Sequence, residues 1–454
     1  MNKRTIPEKV IETITNTIDD KRQEIIKFAQ KLVQIPSVVG KEGPIQKFIE
    51  KKLESLGLEV DVFEIDVKEL SKHPFFINLE DYGISYEDRP NVVGKLRGKG
   101  GGRSLILMGH VDTVPVETPS AWTYDPFSGH IEDGKLYGRG ALDQKGGVAA
   151  QIMAVESIIE AGYSLKGDVI IENTIEEELG GNGALACAVR GYRADAGIYT
   201  EPSGYTIGVS NRGAQFFRIT VPGVATGIEA KWGTPNAIEK AIYLYRAIDY
   251  FSLMRQVEVK KLPSYKYYVL EKDDINYLPF GPKDESIVEI LNMNIAPAGV
   301  CKISGGIWPS STPEKIVLEG SLECLPEEDI REVRERFRDY LLHVSKMDPW
   351  LRVNPPKIEW FGLWFESCMT DVNHPIIDLI KKYCSRITGV VPKLKGGGGS
   401  DLRCLVKYAN TPSVIFGGGF GGNAHGVDEY LDIESLINST KILALTILDY
   451  CKIY

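Results

Sequence analysis

The sequence predicts an α/β protein: a mixed, mostly parallel sheet with helices on both faces, interrupted by a smaller inserted α+β domain. Three observations predict it. Short β-rich runs alternate with helical stripes through residues 20–212. Near residue 213 the pattern changes to two long helices among antiparallel-looking strands, and from residue 368 the first style returns. A chain of 454 residues is too long for one ordinary domain. The expected division is one domain in two pieces, residues 1–212 and 366–454, around an insert at 213–365.

The elements follow in order. Residues 20–34 place Ile25, Ile26, Phe28, Ala29, Leu32 and Val33 on one helical stripe, which Pro36 ends. Residues 43–56 form a second amphipathic helix, and 59–65 alternate as a strand. Residues 68–90 read as irregular. Strands at 91–96 and 104–108 flank a Gly-rich turn, and Gly109 breaks the second run. A helix over 146–161 begins just after Asp143. Residues 168–174 and 196–200 are short strands that end in or beside acids. In the insert, strands are expected at 215–222, 315–325 and 357–360 and helices at 234–251 and 326–344, with 252–300 irregular and rich in aromatics. The last part reads as a helix at 375–387, a Gly-rich loop, a strand at 413–416, a second Gly-rich loop and a helix at 433–449. The run 396–399 is a flexible linker or a loop with close backbone approach. Its place inside a domain, running into Asp401, favours the loop.

Composition narrows the function. A net charge of −9 argues against a nucleic-acid partner. No apolar run is long enough to span a membrane, and the first residues lack the apolar core of a secretory signal. Seven scattered cysteines without a C-x-x-C pair fit a reducing cytoplasm and argue against a thiolate zinc site. With six histidines in the chain, a metal site must lean on carboxylates.

One stretch suggests such a site. His110 and Asp112 follow the apolar run 105–108, and side chains two apart at a strand end can share a face. Ligands gather outside the carboxyl ends of strands in open α/β sheets. His110 is therefore read as a metal ligand whose ring Asp112 holds. Asp143, the run Glu176, Glu177 and Glu178, Glu201 and His425 also fall just past expected strands or in Gly-rich loops. A lone His-x-Asp is weak evidence, and three adjacent acids are usually a solvated loop. The joint placement carries the reading.

Together, His110-Val-Asp112, Gly140-Ala-Leu-Asp143-Gln-Lys-Gly146-Gly147, Glu177-Glu178-Leu-Gly180-Gly181, Thr200-Glu201-Pro202 and Ala424-His425 followed by Glu429 resemble the M20 metallopeptidase family. The likeness is greatest to its acetylornithine deacetylase and succinyl-diaminopimelate desuccinylase-like members. The resemblance implies two zinc ions, with Co or Mn as substitutes. His110, Asp143 and Glu201 would hold one; Asp143, Glu178 and His425 the other. Asp112 would fix the His110 tautomer from behind, and Glu177 would be the general base, with Glu176 the alternative if the register is off by one. A cis peptide after Asp143 is implied too. Gly399, Ser400 and Asp401 resemble the family's substrate loop, although a structural turn reads equally well there.

The implied activity is hydrolysis of an amide bond in a small molecule, an N-acyl amino acid or related N-acyl amine. The alternatives are a dipeptidase or carboxypeptidase, and a metal-retaining but catalytically weak binding protein. The resemblance also implies that the insert is a lid through which a homodimer forms. The chain departs from the family in that lid. No histidine stands near Thr226 or Gly227, no asparagine near Ser310 and no arginine near Glu323. Losing one oxyanion donor can cost about 10²–10³ in turnover, and losing the arginine makes an acidic substrate a poorer fit.

Overall fold

The computed structural model describes residues 6–272, 274, 288–417 and 419–454. The expected starting residues of the chain, part of the irregular stretch 252–300 and one glycine of the second Gly-rich loop lie outside the described residues.

The larger sheet has nine strands and is mixed. Its four central strands, Val169–Thr174, Leu105–His110, Ala196–Pro202 and Ser413–Gly417, all run parallel. Antiparallel pairings extend the sheet on both sides: Asn91–Leu96 and then Glu59–Phe63 on one, Ile207–Asn211 and then Cys368–Met369 on the other. Helices cover both faces. Asn173 turns toward the Gly146–Glu160 helix, where Gln151 donates to it at 3.1 Å. Asn91, of opposite parity, donates to Gly183 in the Asn182–Arg190 helix at 2.9 Å. One continuous hydrophobic core joins the sheet to the helices Arg22–Val33, Gly43–Ser55, Gly146–Glu160, Pro375–Thr388 and Ile433–Cys451.

A second core belongs to a four-stranded antiparallel sheet in the order Ala298–Gly305, Lys315–Cys324, Gly213–Pro222, Lys357–Phe365. Alternation buries Phe217, Ile219 and Val221 against the helices Ala237–Val259 and Ile330–Ser345. A small four-stranded sheet, built from His130–Glu132, Lys135–Tyr137, Gly421–Gly422 and Tyr430–Asp432, joins the two Gly-rich ends of the larger unit.

Several boundaries differ from expectation. The strand at 105 does not stop at Gly109 but runs to His110, because the missing side chain admits the Gln144 carboxamide and Val148 against the backbone. The first lid helix extends to Val259. The second starts at Ile330, where the Asp329 carboxylate caps it by accepting the Arg331 N–H at 2.8 Å. The last lid strand reaches Phe365 across a bulge. Strands at Ile207–Asn211, Ala298–Gly305 and Leu394–Gly397 went unread, the last because its glycines resemble a linker. Gly396 lies against the Tyr268 ring and Gly399 against the Phe365 ring, so the run is the close-approach loop. Among the described residues no helix is long and apolar enough to cross a membrane.

Candidate metal centre

The four parallel strands deliver the site. His110 ends one, Glu201 is the penultimate residue of another, and Thr174 ends a third just before the loop carrying Glu177 and Glu178. The strand ending at Gly417 leads to the loop of His425. Asp143 enters from the turn before the Gly146–Glu160 helix, and its peptide bond to Gln144 is cis. All lie at the carboxyl ends of the sheet, where parallel topology leaves a crevice.

Two donor groups share Asp143. His110 Nε2 stands 3.1 Å from Asp143 Oδ1 and 3.3 Å from Glu201 Oε1. His425 Nε2 stands 3.3 Å from Asp143 Oδ2 and 3.0 Å from Glu178 Oε2. Donors bound to one tetrahedral zinc at about 2.0–2.1 Å stand roughly 3.3 Å apart. The spacing within each group is therefore the spacing of a coordination shell. Ligand atoms of His110, Glu177 and Glu201 also fall within 4.8 Å of one another, which puts Glu177 beside the first group.

The charges call for a cation. Burial pushes the Glu177 carboxyl well above its usual range, and Asp401, Glu201 and Glu178 push it further against the opposing His110. Burial also raises Glu178 to about 7, with Asp143 adding to it. Burial alone would lower His425, yet the Asp143 and Glu178 carboxylates lift it to about 10. His110 is raised in the same way by Asp112, Asp143 and Glu201 against full burial. Carboxylates this crowded and dehydrated are stabilised by positive charge, and an all-oxygen and imidazole donor set suits Zn, Co or Mn. The residues present thus fit a pair of divalent ions.

The support around these donors is dense. His110 Nδ1 lies 3.0 Å from the Asp112 backbone oxygen and 3.5 Å from its Oδ1. The nearer partner of the ring is thus the Asp112 carbonyl rather than the carboxylate. The carboxylate accepts the N–H groups of Glu177 and Glu178 at 3.1 and 3.0 Å. Gln144 Oε1 accepts the His110 N–H at 2.8 Å. Lys145, fully buried, donates to the Ile35 carbonyl at 2.9 Å, and burial pushes it down to about 7. Arg139 and Glu429 form a buried pair at 2.6 Å between the Asp143 turn and the His425 loop. Glu429 stands in the His425 motif and Arg139 just before the Asp143 motif, but an arginine is no metal ligand and no local pattern pairs the two, so the sequence alone assigns them no role.

Glu176 is fully buried, with a positive φ of 71°, and its carboxyl lies close to Gly180. It is absent from both donor groups. Asp401 is 1% exposed; Arg403 donates to it at 3.2 Å and to the Gly180 carbonyl at 2.8 Å. It packs against Gly181, behind the glutamates, and burial raises it to about 6. Gly399 and Ser400 continue the same loop. The lid positions without family side chains come together: Thr226–Gly227 pairs with Ser311–Thr312, and the Ile228 N–H donates to the Ser310 carbonyl at 2.9 Å. Glu323 accepts from Arg212 at 2.8 Å.

The motif order and the fold agree with one family, and the comparison decides it: the sequence pattern described as peptidase family M20/M25/M40 matches residues 106–449. The chain belongs to the M20/M25/M40 peptidase family. As a member it is a hydrolase of amide bonds, from a family that is typically metal-dependent. An N-formyl-4-amino-5-aminomethyl-2-methylpyrimidine deformylase of Halalkalibacterium halodurans is 28% identical, covering 98% of both chains. Human carnosine dipeptidase 1 has the same fold, with a TM-score of 0.72 at 17% identity over 98% of this chain and 99% of that one. So does an M20 family metallo-carboxypeptidase of Sulfolobus solfataricus, with a TM-score of 0.71 at 17% identity over 94% and 99%.

Proposed function

We propose that this M20 enzyme is a dinuclear zinc-dependent deacylase that removes a small acyl group, formyl or a near analogue, from an amine on a small molecule. The observation that carries this is the pair of three-donor groups sharing Asp143 with Glu177 beside them. His110, Asp143 and Glu201 would hold one ion, and Asp143, Glu178 and His425 the other. Bound there, two ions would polarise the amide carbonyl and make water acidic enough to attack near neutral pH. Glu177 takes the proton of the attacking water and returns it to the departing amine nitrogen. Asp112 holds Glu177 and Glu178 by their backbone and His110 by its ring. Gly399 and Ser400 line the substrate side of their loop, while buried Asp401 acts on substrate through Glu177.

The substrate class rests on two supports. The deformylase relative matches over 98% of both chains, the inserted domain included. Arg212, the cation at the base of the lid, is tied to Glu323 and to the Ile295 carbonyl at 2.9 Å, which disfavours a substrate carboxylate. That weighs against the dipeptidase and carboxypeptidase readings. The division into a catalytic domain at 1–212 and 366–454 and a lid at 213–365 follows the two separate cores. A homodimer through the lid is supported by the exposed apolar face of the Ala237–Val259 helix, where Ile242, Leu253, Met254 and Val257 point outward. Seven unpaired cysteines support a cytoplasmic location.

The test is a substrate panel with Zn- or Co-loaded enzyme: N-formylated aminomethyl heterocycles, N-acyl amino acids, N-succinyl amines and dipeptides. Formate release from the first group, well above the rest, is expected. Preference for dipeptides with a free carboxylate would overturn the deacylase reading. Silence across the panel from fully metal-loaded protein would favour the binding protein.

A further inference from the structure

Asp143 and His425 belong to distant parts of the chain, and neither sits in regular secondary structure. Asp143 lies in a turn with extended backbone, φ −115° and ψ 94°, at a helix entrance. His425 lies in a loop where Asn423, His425 and Asp428 all adopt positive φ, near 57°, 60° and 55°. Non-glycine residues in that region persist where the surroundings over-determine them. One buried pair makes the connection. Glu429 Oε1 accepts the N–H groups of Leu142 and Asp143 at 3.0 and 3.1 Å. Its Oε2 accepts from Arg139 Nη1 at 2.6 Å. Arg139 Nη2 donates to the carbonyls of His425 and Gly426 at 3.2 and 3.1 Å. The Arg139 guanidinium lies over the Trp122 ring, 5.2 Å from its centre, and both side chains of the pair are almost fully buried.

We propose that Arg139 and Glu429 are positioning residues that set the His425 loop against the Asp143 turn and so determine the affinity of the ion held by Asp143, Glu178 and His425. The inference rests on the dinuclear reading above. The pair touches only backbone atoms of the ligand residues, so neither side chain is itself a ligand. Its effect is unequal: the pair bears on one ion only through the shared Asp143, and on the other through both Asp143 and His425. His110 sits at the end of an internal strand of the sheet, with its N–H held by Gln144, and Glu201 continues the neighbouring strand. Neither donor depends on Arg139 or Glu429. An arginine is suited to the task, because a planar fork can serve one carboxylate and two carbonyls together, which an ammonium cannot.

Metal-free wild type, His425→Ala, Glu429→Ala, Glu429→Gln and Arg139→Lys are titrated with Co2+, reading visible absorption and binding heat, with circular dichroism and Tm alongside. Wild type is expected to take two ions in two resolved steps. Glu429→Ala weakens one step, the same one that His425→Ala removes, by about 10–100-fold and leaves the other within about 3-fold, the size of effect seen when groups supporting a ligand are removed. Glu429→Gln, which keeps an acceptor for the two N–H groups, restores part of that loss, and Arg139→Lys behaves like it. Glu328→Ala breaks the largely buried Arg255–Glu328 pair in the inserted domain and serves as the control. It lowers Tm and changes neither step. Should Glu429→Ala not fold, Glu429→Gln and Arg139→Lys decide by the same readout. Unchanged steps in the folded variants overturn the proposal, as does an equal loss at both steps. A wild type that takes up no cobalt removes instead the dinuclear reading beneath it.

Discussion

Asp112 Oδ1 accepts the backbone N–H of Glu177 at 3.1 Å. Its second oxygen takes the next N–H, that of Glu178, at 3.0 Å, so one fully buried carboxylate grips two consecutive peptide groups. The proposed base and one proposed metal donor are thereby aimed from the same anchor that the His110 ring touches. Asp112→Ala leaves two amide donors without an acceptor, at about 1–3 kcal/mol each. The expected result is a 10–100-fold loss in kcat, roughly the effect of removing a ligand's supporting group, with a smaller loss for Asp112→Asn. Steady-state rates and metal content check it; a kcat within twofold of wild type would remove Asp112 from the positioning of Glu177.

Glu177→Ala should lower turnover by about 10²–10⁴ while both ions remain bound, since its proposed role is to move a proton rather than to hold metal. Metal analysis of the purified variant is the check. Loss of an ion along with the activity would make Glu177 a ligand.

Chelation should abolish amide hydrolysis, and added Zn, Co or Mn should restore it. The protein should stay folded, because none of the donor side chains belongs to either of the two larger hydrophobic cores. Its Tm should fall, since Glu177, Glu178 and Glu201 then crowd each other without a compensating charge. Circular dichroism melts with and without metal test this, and an unchanged Tm counts against metal in the cluster.

Glu172 provides a stability test away from the site. It lies mid-strand between Val93 and Met108, 1% exposed, and neither carboxyl oxygen has a hydrogen-bond partner among the described residues. Burial raises its pKa to about 8. A raised folded-state value means the folded protein binds the proton more tightly than the unfolded chain. The side chain is therefore harmless below pH 4.5 and increasingly destabilising as pH rises toward 8. At pH 7 the penalty is roughly 3 kcal/mol. Glu172→Met should raise the urea midpoint at pH 7–8 and have little effect near pH 4. Equal midpoints across the range would mean that Glu172 ionises freely where it stands.

Most of the site was legible because it is written in short pieces. His110-Val-Asp112 and Glu177-Glu178 each follow an apolar run, and a buried strand that ends in an acid or histidine announces a crevice. The glycines around Asp143 and His425 announced loops with close backbone approach. The strands Ile207–Asn211 and Leu394–Gly397 were not legible, because glycine and polar residues hide a strand whose only merit is its neighbour. Likewise the tie between Arg139 and Glu429 was not legible, although Glu429 stands in the His425 motif, since each has meaning only beside the other.

By itself, then, the sequence determined the α/β class, the inserted lid, the family and the candidate donors His110, Asp143, Glu178, Glu201 and His425. Local periodicity and motif spacing encode those things. Only the tertiary structure decided that Asp112 holds the Glu177 and Glu178 amides, that Glu429 joins the Asp143 turn to the His425 loop through Arg139, and that Glu323 occupies Arg212. Hydrogen bonds and ion pairs of that kind act over about 3 Å in space and are indifferent to distance along the chain. No local pattern can announce them, and folding the sheet is what brings the partners within reach.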